Sequence, residues 1–212
     1  MSGAVARPAA TGASFTSGDW TTVGWVTGAA SDRSVVRITA RRCGDEIRGS
    51  GVIVDGRVLT NRHVVEGARA LVLTTSDGEA HDVTNIETSG GLDLARLKAP
   101  GLTDGVALAT SAPPVDSTVR LAGFPGGREF AAREATVVDL VRGVVPVDPP
   151  VATHLDVTVV PGESGSALID RDGLLAGLLY AKATADGGGL AIDAVRVRLG
   201  LATLEPKSFA SC

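Results

Sequence analysis

The sequence predicts an all-β protein made of two antiparallel six-stranded β-barrels, with a short C-terminal helix. Glycine (27) and proline (10) together supply 37 of the 212 residues, which is too many for a helical bundle and suits short strands joined by tight turns. The apolar runs are also short and rich in β-branched residues. Only 3% of the residues are aromatic, so the predicted core is aliphatic.

The first group of six predicted strands lies before residue 100. Its members are partly alternating and rich in valine, isoleucine and threonine, which is typical of half-buried strands. They cover residues 34–40, 47–54, 57–60, 69–75, 83–87 and 94–99. A passage rich in proline and glycine, residues 100–114, then connects the two groups.

The second group of six strands follows this connection. These strands cover residues 118–124, 134–143, 152–160, 166–171, 174–181 and 189–192. The turn sequence DRDG at 170–173 predicts a hairpin, because glycine accepts a positive φ. Asp193 is placed to cap a helix over 194–201, the one segment with a convincing helical pattern.

These groups predict a simple domain organisation. Residues 1–30, dominated by small and polar side chains, are expected to form a flexible N-terminal arm. Residues 31–212 are expected to form one domain, with the first barrel over about 31–100 and the second over about 115–200.

Composition excludes several functional classes. The net charge of −4 provides no positive field for nucleic acid, so we expect no nucleic-acid partner. No stretch reaches the ~18 apolar residues of a membrane span, and the first 20 residues lack the apolar region of a secretory signal. These absences favour a cytoplasmic location. The sequence has no HExxH motif and no paired Cys/His set, so we expect neither metal nor cofactor.

A serine between glycines is the first candidate for chemistry. Ser164 lies in PGESGSALI, where Gly162 and Gly165 allow a tight backbone around a nucleophile and its oxyanion donors. The same pattern also suits an ordinary turn between strands. All three histidines, His63, His81 and His154, precede this serine, which excludes the α/β-hydrolase order.

A base and an orienting acid complete the candidate set. His63 follows a strand in LTNRHVVEGA, and Asp93 lies between Leu92 and Leu94 in GGLDLARLK. A carboxylate at the start of a buried strand is costly unless it is hydrogen-bonded, as the aspartate of a catalytic triad is. Each residue alone has a structural explanation, but the order His63, Asp93, Ser164 together indicates nucleophilic catalysis.

These segments resemble the trypsin-like serine proteases, on the bacterial branch that contains the HtrA-type enzymes. The matching segments are GSGVIVDGRVLTNRHVVEGA, LDLARLKA, and VVPGESGSALID followed by LLAGLLYA. Within this branch the sequence most resembles actinobacterial membrane-tethered proteases linked to acid resistance, which have counterparts of AGFPGG (122–127). Two residues depart from the usual pattern: Glu163 replaces Asp or Asn, and Ser166 replaces a common glycine.

The resemblance implies a chymotrypsin-like fold with the site in the cleft between the barrels. It implies that His63, Asp93 and Ser164 are catalytic and that the N–H groups of Gly162 and Ser164 form the oxyanion hole. It also implies a substrate pocket with a neutral floor, which favours small or medium neutral side chains at the cleavage position. The residues that would form this pocket are Thr158 at its floor, with Tyr180, Ala181, Lys182 and Gly189 along its walls.

The two cysteines, Cys43 and Cys212, allow two interpretations: two inert thiols or one long-range disulfide. The similar proteases carry cysteines at both places, which favours a disulfide that pins the C-terminal tail to the first barrel. A stable disulfide would in turn favour an extracytoplasmic location, because it needs an oxidising compartment.

The sequence therefore predicts a serine endopeptidase that hydrolyses peptide bonds through a His-Asp-Ser triad and an acyl-enzyme intermediate. The alternative is a peptide-binding module that keeps the protease fold without turnover; the intact triad favours the enzyme. A polypeptide substrate is the one partner that the enzyme requires, and we expect a monomer.

Overall fold

A computed structural model describes residues 32–103, 105–142 and 151–212 of the chain. The described strands form two antiparallel sheets. The predicted N-terminal arm, residues 1–30, lies outside the described residues. No helix within the described residues is long and apolar enough to cross a bilayer.

The first sheet contains eight strands in the order β14-β6-β7-β3-β2-β1-β4-β5. Seven of them come from the first half of the chain, and β14 comes from its end. Their bounds are β1 (Val35–Arg41), β2 (Glu46–Val54), β3 (Arg57–Thr60), β4 (Ala70–Thr75), β5 (Ala80–Asp82), β6 (Asn85–Ser89), β7 (Ala95–Lys98) and β14 (Leu204–Lys207). A single-turn helix, α1 (Arg62–Val65), follows β3.

The second sheet is a closed six-stranded barrel in the order β10-β13-β12-β11-β8-β9. Its strands are β8 (Thr118–Gly123), β9 (Ala131–Arg142), β10 (Val151–Asp156), β11 (Ala167–Ile169), β12 (Leu175–Lys182) and β13 (Gly189–Asp193). A 3₁₀ turn, Pro125–Gly127, lies between β8 and β9.

The structure confirms the all-β class, the two antiparallel sheets and the C-terminal helix, but the first sheet differs in detail from a six-stranded barrel. It has eight strands, and its edge strands β5 and β14 are not hydrogen-bonded to each other. Both extra strands are short and largely exposed, so they carry no alternating apolar pattern. Strand β10 ends at Asp156 rather than at residue 160, because the chain turns there into the loop that carries Ser164.

The predicted helix, α2 (Ala194–Leu201), begins as expected. The carboxylate of Asp193 accepts a hydrogen bond from the backbone N–H of Arg196 at 3.0 Å, so Asp193 is the N-cap. After α2 the chain returns to the first sheet, where β14 pairs with β6 and the N–H of Ala210 donates to the carbonyl of Ala68. Cys212 ends this return in a disulfide with Cys43, whose Cα lies 5.7 Å away, so the predicted disulfide is confirmed.

Three apolar clusters stabilise the molecule. One fills the first sheet and includes Ile38, Leu73 and Leu97, and another fills the second barrel. The third joins the two sheets, because Leu59 and Leu94 of the first pack in one cluster with residues of the second, such as Phe124 and Leu178. Leu94, which follows Asp93 in the sequence, belongs to this shared cluster, whereas Val64 and Val65 of the helix that carries His63 pack in the cluster of the first sheet.

Candidate active site

His63 lies on α1, which the chain reaches directly from β3. Asn61 occupies the N-cap position but does not cap the helix with its side chain. Its amide Nδ2 instead donates to the backbone carbonyl of Asp93 at 3.1 Å. This buried hydrogen bond brings the start of α1 to the segment that precedes β7.

His63 and Asp93 are joined by two hydrogen bonds. The backbone N–H of His63 donates to Oδ1 of Asp93 at 2.9 Å, and the ring Nδ1 lies 2.6 Å from Oδ2. The Asp93 residue is only 7% exposed, whereas the His63 side chain is 45% exposed. An ionised carboxylate only accepts hydrogen bonds, so Nδ1 carries the proton and Nε2 is left with a lone pair. The ring is thus held in the tautomer of a general base.

Ser164 lies in the loop between β10 and β11, which we call the Ser164 loop (residues 157–166). Ser50 of β2, fully buried, holds this loop against the first sheet. The Ser50 N–H donates to the carbonyl of Ser164 at 2.7 Å, and the Ser50 hydroxyl donates to the carbonyl of Gly162 at 3.0 Å. A Cβ on Gly165 would lie 2.0 Å from the Ser50 carbonyl oxygen, so only glycine allows this approach.

Backbone hydrogen bonds fix two carbonyl groups of the Ser164 loop. The carbonyl of Pro161 accepts the N–H of Gly126 at 2.7 Å, and the carbonyl of Glu163 accepts the N–H of Ser166 at 2.9 Å. In a planar trans peptide the N–H points opposite to the C=O, so the N–H groups of Gly162 and Ser164 face away from these contacts. Neither N–H donates a hydrogen bond to any described residue.

A glycine also lets α1 approach the Ser164 loop. A Cβ on Gly49 would lie 2.7 Å from Cγ1 of Val64 and 3.2 Å from the carbonyl oxygen of Ser164. The histidine and serine segments therefore meet across β2. Within the described part of the chain, the hydroxyl of Ser164 makes no hydrogen bond to His63. Such catalytic hydrogen bonds are often long in substrate-free sites and tighten when substrate binds.

The residues predicted to line the substrate pocket differ in burial. Thr158 is exposed, because the chain at residues 157–160 has already left β10. It lines a cleft of 160 Å³ together with residues that include Asp156 and Asp186. Its place at the floor of the substrate pocket, and the preference for small or medium neutral side chains at the cleavage position, stay predictions.

The four residues predicted to form the walls of the substrate pocket range from buried to exposed. Tyr180 is buried, and this burial, together with the negative charge of Asp93, raises the pKa of its hydroxyl to about 12. Ala181 is half-buried and Lys182 is exposed. Gly189 is buried, and a Cβ there would lie 2.9 Å from Leu179.

Two residues that contact the Ser164 loop were not predicted from the sequence. Ser50 looks like an ordinary strand residue, and its one signal is the flanking pair Gly49 and Gly51. Arg133 of β9 forms an ion pair with Glu163 at 2.5 Å and donates to the carbonyl of Thr158 at 2.8 Å. No local pattern identifies Arg133, because its partners lie 25 and 30 positions away.

Comparison with known proteins identifies the family of this chain. The model of the trypsin-like peptidase domain matches residues 49–178. Serine protease Rv3671c of Mycobacterium tuberculosis is 30% identical over 169 residues, which is 74% of this chain and 42% of that protein. Periplasmic serine endoprotease DegP of Escherichia coli is 31% identical over 156 residues, or 68% of this chain and 32% of that protein. The chain thus spans less than half the length of these relatives.

Solved structures give the same result for the fold. The active form of the Rv3671c protease from M. tuberculosis matches with a TM-score of 0.79 and 26% identity, over 98% of this chain and 97% of that one. The HtrA-type protease AlgW with a tripeptide matches with a TM-score of 0.71 and 26% identity, over 82% of this chain and 60% of that one. The two-sheet architecture is therefore the chymotrypsin-like fold of the HtrA-type proteases.

Proposed function

Because this chain belongs to the trypsin-like peptidase domain family, we propose that it is a serine endopeptidase that hydrolyses peptide bonds through His63, Asp93 and Ser164. Its relatives are named serine proteases, which supports serine protease activity. The observation that carries the proposal is the pair of hydrogen bonds from His63 to Asp93, which leaves Nε2 as the free base.

The proposed reaction begins when Ser164 Oγ attacks the carbonyl carbon of the scissile peptide. His63 Nε2 takes the hydroxyl proton and later gives it to the leaving amine, while Asp93 stabilises the imidazolium. Water then attacks the acyl-enzyme, again with His63 as the base, and releases the second product.

The oxyanion hole is proposed to consist of the N–H groups of Gly162 and Ser164. Their support is that both donate to no described residue and face away from the contacts that hold Pro161 and Glu163. Donors fixed before the reaction stabilise the developing negative charge without having to reorganise.

Digestion of a denatured protein, such as reduced casein, tests this function. Wild-type protein is expected to produce peptides, and Ser164→Ala is expected to lower the rate by about 10⁴–10⁶, because only binding and the oxyanion donors remain. Unfolding curves of both proteins check that the variant is folded. Equal digestion by the two folded proteins would contradict the proposal, whereas peptide binding without digestion by the wild type would support the non-catalytic alternative.

A further inference from the structure

The backbone carbonyl of His63 has a single hydrogen-bond donor within the described part of the chain. That donor is the guanidinium of Arg42, whose Nη2 lies 2.9 Å from the carbonyl oxygen. Helix α1 consists of one turn, and the last carbonyls of a helix have no partner along the helix itself. The N–H of Glu66 donates to the carbonyl of Arg62, and no described backbone N–H donates to the carbonyl of His63. Arg42 therefore caps α1 at the residue that we propose as the base.

Arg42 is itself fixed in the turn between β1 and β2. Its N–H donates to the carbonyl of Asp45 at 2.9 Å, which closes this turn. The residue is half-buried, and its Nε atom has almost no exposed surface. A hydrogen bond from a charged guanidinium is stronger than one between neutral groups. The contact with His63 thus joins a fixed turn of the first sheet to α1.

Three hydrogen bonds then define the position of His63. Its ring and its N–H both contact the carboxylate of Asp93, and its carbonyl accepts from Arg42. A group that is bound at one point can still rotate about that point, and both contacts with Asp93 end on the same carboxylate. The contact with Arg42 comes from a different element of the fold. It therefore removes a rotation that Asp93 alone leaves possible.

We propose that Arg42 is a positioning residue for the general base: its hydrogen bond to the carbonyl of His63 keeps the imidazole where Nε2 can take the proton of Ser164. The inference rests on the proposed function. Arg42 acts through His63 and takes no part in proton transfer itself. A displacement of a reacting group by about 1 Å can cost about 10²-fold in rate, so the loss of this hydrogen bond has a measurable effect.

The rate of labelling by a fluorophosphonate tests this role without a known substrate. In that reaction Ser164 Oγ forms a bond to phosphorus, the P–F bond breaks, fluoride leaves, and His63 takes the hydroxyl proton. Arg42→Met keeps the apolar stem of the side chain and removes every donor. It is expected to label about 10- to 100-fold more slowly than the wild type. Arg42→Lys, which keeps a charged donor on a shorter side chain, is expected to lie between this variant and the wild type.

Arg41→Met is the matched control, because Arg41 is the neighbouring arginine but points to a different partner. Its side chain is 59% exposed and forms an ion pair with Glu46 at 3.9 Å. Its backbone carbonyl accepts the N–H of Arg69, a contact that the substitution keeps. This variant is expected to label at the wild-type rate.

A double-mutant cycle separates a role through His63 from a general effect on the structure. If Arg42 acts through the base, its substitution changes little once the base is absent, so Arg42→Met/His63→Ala is expected to label within about twofold of His63→Ala alone. A general loss of structure predicts the same decrease in both backgrounds. On any peptide that the wild type cleaves, Arg42→Met is also expected to lower kcat with little change in KM.

The possible outcomes separate the role of Arg42 from the proposed function. A folded Arg42→Met variant that labels as fast as Arg41→Met would overturn the inference, and so would an equal decrease with and without His63. If Arg42→Met does not fold, Arg42→Gln takes its place with the same expectations, because its shorter side chain does not reach the carbonyl of His63. If the wild type itself is not labelled at Ser164, the proposed function fails instead, so the two failures are distinguishable.

Discussion

The hydroxyl of Ser50 donates a hydrogen bond to the carbonyl of Gly162 at 3.0 Å, although the two residues are 112 positions apart. The same hydroxyl oxygen accepts the N–H of Phe124 at 2.9 Å. Ser50 therefore connects the first sheet to both the Ser164 loop and the turn after β8. The carbonyl of Ser50 in turn accepts the hydroxyl of Thr60 at 2.7 Å, which fixes this residue within its own sheet.

Ser50→Ala is expected to lower both stability and turnover. It leaves the partly buried carbonyl of Gly162 and the buried N–H of Phe124 without their partner, at a cost of about 1–3 kcal/mol in the free energy of unfolding. The peptide group between Gly162 and Glu163 then loses one of the hydrogen bonds that fix it. Because the proposed oxyanion donors lie on the two neighbouring peptide groups, kcat is expected to fall about tenfold or more while KM changes less. Urea unfolding and peptide kinetics measure the two effects.

The control for this variant is Ser166→Ala. Ser166 is also a fully buried serine, but its hydroxyl has no hydrogen-bond partner among the described residues. Its removal is expected to leave kcat unchanged and not to lower stability. Equal effects of the two substitutions would show that Ser50 acts only as a buried small residue.

Asp93→Asn is expected to lower kcat by about 10⁴-fold, because the amide then donates to Nδ1 and leaves the proton on Nε2, where it blocks the base. Peptide hydrolysis by wild type and variant measures this loss. Asp82→Asn, at an exposed position of β5, is the control and should leave kcat unchanged. If Asp93→Asn kept near-normal turnover, Asp93 would not set the tautomer of His63.

The proposed catalytic residues could be identified from the sequence because each lies in a recognisable local segment. His63 follows a strand, Asp93 precedes one, and Ser164 lies between glycines; the family resemblance joined the three. The structure adds the hydrogen bonds that connect His63 with Asp93. The local sequence around each residue thus identified the candidates, whereas the path of the chain brings His63 and Asp93 into contact.

The parts that were not predicted depend on distant partners. Strand β14 contains a proline and few apolar residues, and it forms because the chain after α2 returns to pair with β6. Ser50 and Arg133 lie on strands β2 and β9. The pattern of apolar and polar residues in a strand does not show whether one of its side chains contacts a distant loop. The exposure of Thr158 could not be predicted either, because a count of residues before Ser164 does not give the path of the loop.

The Cys43–Cys212 disulfide closes a loop of 169 residues in the unfolded chain and so restricts the unfolded state. Its loss is therefore expected to lower the free energy of unfolding by up to about 5 kcal/mol. Urea unfolding of the Cys43→Ser/Cys212→Ser double variant, compared with oxidised wild type, measures this difference. Intact mass after alkylation, with and without reduction, checks the starting state. Two alkylated thiols in unreduced protein would contradict the disulfide.

Stability is expected to fall as the pH rises from about 10 to about 12, since Tyr180 keeps its proton in the folded state up to a pKa of about 12. In the unfolded chain a tyrosine ionises near pH 10, so the unfolded state releases its proton first and is favoured over this range. Thermal unfolding midpoints of wild type and Tyr180→Phe between pH 9 and pH 12 measure the effect. The variant is expected to lose less stability over this interval.

Tyr180 is the only tyrosine in the chain, so its titration can be followed directly. The absorbance of tyrosinate near 295 nm is expected to appear well above pH 10 in the folded protein and near pH 10 in denaturant. Ionisation near pH 10 in the folded protein would contradict the burial of this hydroxyl beside Asp93.

The proposed function requires His63 to activate Ser164 as a nucleophile, and covalent labelling by a fluorophosphonate measures this activation at Ser164 itself. Intact mass and peptide mapping are expected to show one adduct per chain, on Ser164, in the wild-type protein. His63→Ala is expected to label at least about 10³-fold more slowly, because no base takes the hydroxyl proton. An unlabelled wild type, an adduct on another residue, or equal labelling of a folded His63→Ala variant would contradict the account.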